Sequence, residues 1–145
     1  MATILALVDG SEPSTKAVRV ALDMAQKYGS NLIALCVITA PSFVPVGTGG
    51  SPTDLGAYYE EGTQEAKNSV DEAQKLARAA GVSSRGEVIE AAGSTVETIV
   101  DFATKEKVDL IVMGTRGLGG LKKLVLGSVS SGVVAHAPCS VLIVR

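Results

Sequence analysis

Five short apolar runs rich in β-branched residues punctuate the chain: TILALV (3–8), NLIALCVI (31–38), SRGEVIE (84–90), VDLIVM (108–113) and SVLIVR (140–145). Between them, apolar residues recur at three- and four-residue spacing, the period of a helix that lays one face on a core. This alternation predicts βαβ units and a mostly parallel sheet, so the fold class is α/β. The segment TAPSFVPVGTGGSPTD (39–54) carries no usable period. A connection of that length and composition is either a functional lid or a simple insertion.

The first helix is expected to begin at SEPS, where Ser11 caps free amides and Pro13 fits the first turn, and to end at Tyr28 before Gly29. Val18, Leu22 and Ala25 share one of its faces. The second and longest helix runs to Ala80 before Gly81, with Ala66, Val70, Ala73, Ala77 and Ala80 in one stripe. Exposed carboxylates at Glu60 and Glu61 mark its other side. The third opens with STVE, where Ser94 and Glu97 have the spacing of a reciprocal capping box, and continues through Ile99, Val100 and Ala103. The last is short, from Val129 to about His136, and Pro138 closes it. Right-handed crossovers then give an open, twisted, five-stranded parallel sheet in the order 3-2-1-4-5 with helices on both faces.

In such a sheet, ligands sit beyond the carboxyl ends of the strands, where neighbouring crossovers leave for opposite faces. For this order the gap lies between the first and fourth strands. The first ends at Val8-Asp9-Gly10 and the fourth at Met113-Gly114, followed by Gly117, Gly119 and Gly120. Asp9 and a glycine cluster therefore flank the same gap. A Walker-type loop requires Lys then Ser or Thr directly after a glycine, but Leu121 follows Gly120, and the lysines are Lys122 and Lys123. A dinucleotide fingerprint requires G-x-G-x-x-G after the first strand; the spacing and the strand are both wrong here.

The spacing that does fit is Gly114-x2-Gly117-x9-Gly127-Ser128, and with it the chain resembles the ATP-binding branch of the universal stress protein family. The resemblance runs from ILALVDGSEPS through GTRGLGGLKKLVLGSVS to HAPCSVLIVR and includes the element order. It implies a single domain over residues 1–145 with a Rossmann-like fold of the adenine nucleotide alpha hydrolase type. It also implies that Asp9 and Val37 contact adenine, with Leu7 and Val8 beside it. Met113 and Gly114 would border base and ribose. Arg116, Gly117, Gly127, Ser128, Val129 and Ser130 would line the phosphate side. Physically, bare backbone at Gly114 and Gly117 admits ribose and phosphate, and the start of a helix at Gly127-Ser128 offers free amides and a positive dipole end. Ser128 and Ser130 add hydroxyl donors. The chain departs from some members by carrying Leu7 where they have Pro.

Composition narrows the alternatives. With 145 residues, 46% hydrophobic, no tryptophan and 3% aromatic, the core is aliphatic, as a buried parallel sheet requires. A net charge of −2 gives no electrostatic footprint for nucleic acid or an anionic membrane. The opening MATILALVDG lacks a basic leader, and Asp9 interrupts its apolar run, so a cytoplasmic protein is expected. Cys36 and Cys139 lie in separate apolar runs without metal-ligand spacing and read as buried free thiols. His136, the only histidine, reads as a helix-end residue rather than a catalyst. No protein metal site is expected; Mg²⁺ would arrive through the phosphates of the nucleotide.

The leading functional expectation is a nucleotide-dependent regulatory protein of the stress response that binds ATP. A slow ATPase or phosphotransferase is the alternative, weakened because no base stands out for the γ-phosphate end. A nucleotide-free interaction module is the second, and a flavodoxin-like site is disfavoured because DGSEPS lacks aromatic shields for a flavin. The apolar last strand, Ser140 to Arg145, falls at a sheet edge and invites pairing with its own copy, and the resemblance likewise implies a homodimer through it.

Overall fold

The computed structural model describes residues 1–39, 52–115 and 126–145, with residues 52–59 described by their helical backbone alone. The elements are β1 (Thr3–Leu7), α1 (Glu12–Tyr28), β2 (Asn31–Thr39), α2 (Pro52–Ala79), β3 (Ser84–Ala91), α3 (Thr95–Lys105), β4 (Leu110–Gly114), α4 (Ser128–His136) and β5 (Ser140–Val144). The strands form one parallel sheet in the order β3-β2-β1-β4-β5, as expected.

Local chemistry sets the helix ends. Ser11 caps α1 by accepting from the Ser14 amide at 3.3 Å, and Pro13 occupies the first turn. The helix stops at Gly29, whose left-handed φ of 63° turns its amide onto the Ala25 carbonyl. Ser94 caps α3 by accepting from the Glu97 amide at 3.3 Å.

The strand ends shift by one or two residues from the hydrophobic pattern, and two of the shifts have a visible cause. Val108 is apolar and buried, but its amide bonds the Ala103 carbonyl at 3.0 Å, and Lys107 before it has a φ of 53°. Val108 thus closes the end of α3, and β4 begins two residues later, at Leu110. Val8 lies beyond β1, yet its amide still reaches the Leu35 carbonyl at 2.9 Å.

Side chains alternate across the pleat and feed two cores. On one face Ile4, Ala6 and Val8 meet Val18, Ala21 and Leu22 of α1 and Ala66, Val70, Ala73 and Ala77 of α2. The alanine stripe brings α2 so close to β3 that a Cβ on Gly86 would collide with Val70. On the other face Leu5, Ile33, Leu35 and Ile111 meet Ile99 and Phe102 of α3 and Val133 of α4. Each fully buried Leu or Ile contributes about 1.5–3 kcal/mol relative to exposure, so the two cores rigidly fix the ends of β1, β2 and β4.

Candidate functional site

The β1–α1 turn is held by its own polar groups. Asp9 Oδ1 accepts from the Ser11 amide at 2.8 Å, and the Asp9 amide donates to Ser14 Oγ at 3.2 Å. Ser14 Oγ in turn donates to the Ser11 carbonyl at 3.2 Å. Gly10, at a φ of 82°, makes the reversal between them.

At the end of β4, a Cβ on Gly114 would stand 2.9 Å from Pro13 Cβ and 3.1 Å from the Pro13 carbonyl carbon and oxygen. The bare backbone that the sequence suggested for ribose and phosphate is therefore taken up, at Gly114, by the first turn of α1. Gly114 still borders the cleft described below, but helix packing accounts for its missing side chain.

The start of α4 is fastened beside that strand end. The Gly127 amide donates to the Thr115 carbonyl at 2.9 Å, and Ser130 Oγ donates to the carbonyls of Gly114 at 3.1 Å and Thr115 at 2.9 Å. Ser130 is buried. Its single proton is directed at these carbonyls. Among the described residues no side chain caps α4: Gly127 holds the cap position, and the first bond back to it comes from the Ser131 amide. The amides of Ser128, Val129 and Ser130 thus lack intrahelical partners and carry the positive end of the helix dipole.

Between these parts lies a cleft of about 210 Å³ at the carboxyl ends of β1, β2 and β4. Leu7, Leu35, Val37, Ile99, Met113 and Val129 supply its apolar lining; Val8, Asp9, Ser14, Thr95, Gly114 and Ser130 complete it. Of the residues expected from sequence, Leu7, Val8, Asp9, Val37, Met113, Gly114, Val129 and Ser130 come together there. Gly127 and Ser128 stand at the adjoining start of α4 without lining the cleft. Arg116, Gly117, Lys122, Lys123 and residues 40–51 of the irregular segment lie outside the described residues.

Sequence reasoning missed Ser14, Leu35, Thr95 and Ile99. A signal for the last two was present: a crossover from edge strand β3 to β4 must carry α3 over β2 and β1, past the gap. Leu35 precedes Val37 by two residues and so shares its face, and Ser14 follows from the packing of α1 on the β4 end.

Charge and thiol chemistry leave the cleft undisturbed. Cys36, on the opposite face of the sheet, is pushed up to about 11 by burial and by the Asp9 carboxylate, so it is a neutral, inert thiol. Cys139 is only half-buried, against the expectation of burial, and its thiol is raised by desolvation and by Asp109. His136 stands exposed in the last turn of α4. Among the described residues, no group of three His, Cys, Asp or Glu is arranged to hold a metal ion, and no helix is long and apolar enough to cross a membrane.

Comparison with known proteins bears on this geometry over the full length. The family model described as the universal stress protein family matches residues 1–145. A universal stress protein of Thermus aquaticus is 38% identical over 144 residues, covering 99% of this chain and 98% of that one. The solved structure of universal stress protein UspA from Lactobacillus plantarum is 28% identical with a TM-score of 0.81, covering 99% of this chain and 97% of that one. A universal stress protein solved in complex with cAMP is also 28% identical, with a TM-score of 0.69 and coverage of 99% and 97%.

Proposed function

This chain belongs to the universal stress protein family, and from that membership we propose that it is a cytoplasmic, nucleotide-dependent regulator that binds ATP in the cleft between β1 and β4. One observation carries the reading: a largely apolar cleft of about 210 Å³ runs up to the start of α4, where Val129 and Ser130 line it. An aromatic base favours the first environment and a polyanion the second. The relative in complex with cAMP supports an adenine nucleotide as the occupant class.

In this reading Leu7, Val8, Val37 and Met113 flank the adenine, and the free oxygen of Asp9 accepts from its edge. Gly114 borders the ribose. The phosphates meet the amides of Ser128, Val129 and Ser130 at the turn made by Gly127, with Arg116 and Gly117 completing that side. The bound nucleotide brings Mg²⁺ through its phosphates; the described residues supply no cluster of protein ligands for it. The residues fit a binding role: they desolvate a base, and they place unfilled donors where anionic oxygens would lie.

Calorimetric titration with ATP, ADP, AMP and cAMP tests the proposal. The expected result is saturable binding with the triphosphate tightest, because each further phosphate adds charge near the α4 amides. Absence of heat and of any thermal shift at millimolar ATP overturns it.

We also propose a homodimer through β5. That strand is the sheet edge, and Val141, Leu142, Ile143 and Val144 remain only half-buried in the single chain. An unpaired apolar edge is relieved by a second copy across a two-fold axis. Sedimentation equilibrium at micromolar concentration should return twice the chain mass, and the mass of one chain would refute the pairing.

A further inference from the structure

The turn that carries Asp9 is clamped from outside at two points. A Cβ on Gly10 would stand 3.0 Å from Ser69 Oγ of α2, and Pro13 packs against the bare backbone of Gly114. Neither contact holds Asp9 itself. Val8 makes the last backbone bond from this end of the chain to β2, and beyond it the Asp9 amide has one partner among the described residues, Ser14 Oγ at 3.2 Å.

Ser14 is itself firmly held. It is buried in the first turn of α1, and its amide donates to Ser11 Oγ at 3.3 Å. Its hydroxyl proton goes to the Ser11 carbonyl at 3.2 Å, which leaves its lone pairs for the Asp9 amide. The Ser11 amide completes the circuit by donating to Asp9 Oδ1 at 2.8 Å. Backbone and side chain of Asp9 are thereby fixed by one closed set of bonds through Ser14 and Ser11. Asp9 Oδ2 keeps no partner among the described residues, and Asp9 and Ser14 both line the cleft.

An ionised carboxylate accepts and never donates. Held still beside a purine edge, it favours a base with an amino group there and rejects one with a carbonyl oxygen in the same place, which would lie unpaired against a negative charge. Free to swing, it could turn from that oxygen to the neighbouring ring N–H. Discrimination between the two bases therefore depends on how firmly Asp9 is held as well as on its charge.

We propose that Ser14 is a positioning residue of the cleft: by anchoring the Asp9 amide it aims the carboxylate, and so sets a preference for a 6-amino over a 6-oxo purine. This rests on the nucleotide reading above. The backbone of Val37, at the end of β2, also borders the cleft with an amide that has no partner of its own, so its contribution has to be separated from that of Asp9.

Affinities for ATP and ITP, measured by calorimetry on wild type, S14A, S14T, D9A and the D9A S14A double variant, make that separation; the melting temperature of each is recorded without ligand. Wild type should prefer ATP. S14A should lower the ATP-to-ITP affinity ratio about tenfold, the size of one hydrogen bond, and S14T, which keeps the hydroxyl, should restore most of it. D9A should lower the ratio at least as far, and S14A should lower it no further in that background, because Ser14 acts through Asp9. An equal loss for both nucleotides in S14A, or a further fall of the ratio in the D9A background, overturns the positioning role. A ratio that D9A leaves unchanged overturns it too and assigns the selectivity to the Val37 backbone, as does a wild type that binds ATP and ITP alike; in each of these cases the nucleotide reading stands. If wild type binds neither, both fall. Should S14A melt too low to titrate, S14C gives the same comparison at similar volume with a much weaker acceptor.

Discussion

Gly114 and Ser130 show how a few atoms hold the two sides of the cleft together. A methyl at Gly114 has to displace the backbone of Pro13, which cannot swing away as a flexible side chain could. G114A should therefore lose about 1–3 kcal/mol of stability through overpacking, read as a lower urea midpoint at unchanged slope. Ser130→Ala removes the one hydroxyl shared by two carbonyls at a buried position, and should lose about 1–3 kcal/mol for the unsatisfied acceptors. Cys36 gives a chemical counterpart. Burial and the Asp9 charge raise its thiol to about 11, so at pH 8 it should resist alkylation in the native protein and react on unfolding, followed by intact mass. The raised value favours the neutral thiol in the fold; its stabilising contribution is present below the ordinary thiol value and is lost as pH rises through about 11.

Helix and strand ends explain what could be read from sequence and what could not. Ser11, Gly29 and Ser94 announced their caps because the relevant hydrogen bonds are made within a few residues of chain. The order of the strands followed from crossover handedness, and with it the gap that Asp9 and Met113 border. Val108 misled because burial alone does not distinguish the last turn of a helix from the first residue of a strand. Gly114 and Ser130 carry structural contacts that the sequence did not show. Their ligand-like chemistry is satisfied by groups far away in sequence, Pro13 and the β4 carbonyls, and no local pattern encodes a contact of that kind. Thr95 was overlooked for the same reason, since only the path of α3 over the sheet brings it to the cleft. Where β1 and β4 begin, Asp109 Oδ2 accepts from the amides of Ala2 at 2.9 Å and Thr3 at 3.0 Å, and these bonds hold its carboxyl below the ordinary aspartate range. A depressed carboxylate contributes stability above its unfolded value, about 3.9, and loses it as pH falls through the lower folded value. D109N should accordingly show a shallower acid limb than wild type when urea midpoints are compared from pH 7 down to pH 3.

For the whole molecule, the cleft draws on β1, β2, β4, α1, α3 and α4 at once, so an occupant that binds only the folded chain should stabilise all of it. Linkage sets the size: at a ligand concentration one hundred times Kd the gain is about 2.7 kcal/mol, which for a domain of this length is a rise in melting temperature of roughly 5–10 °C. Gly127 separates that gain from folding. Its φ of −65° and ψ of 165° are ordinary extended values that any residue adopts, so the backbone does not demand glycine there, and valine at a cap position costs about 1 kcal/mol of helix preference. A branched side chain at that point would nonetheless stand before the free amides of α4 and hinder an approaching phosphate. Gly127→Val should melt only a few degrees below wild type without ligand yet lose most of the rise given by ATP, followed by calorimetry with and without nucleotide. An undiminished rise in the variant would mean that the ligand's anionic end lies elsewhere than at the start of α4.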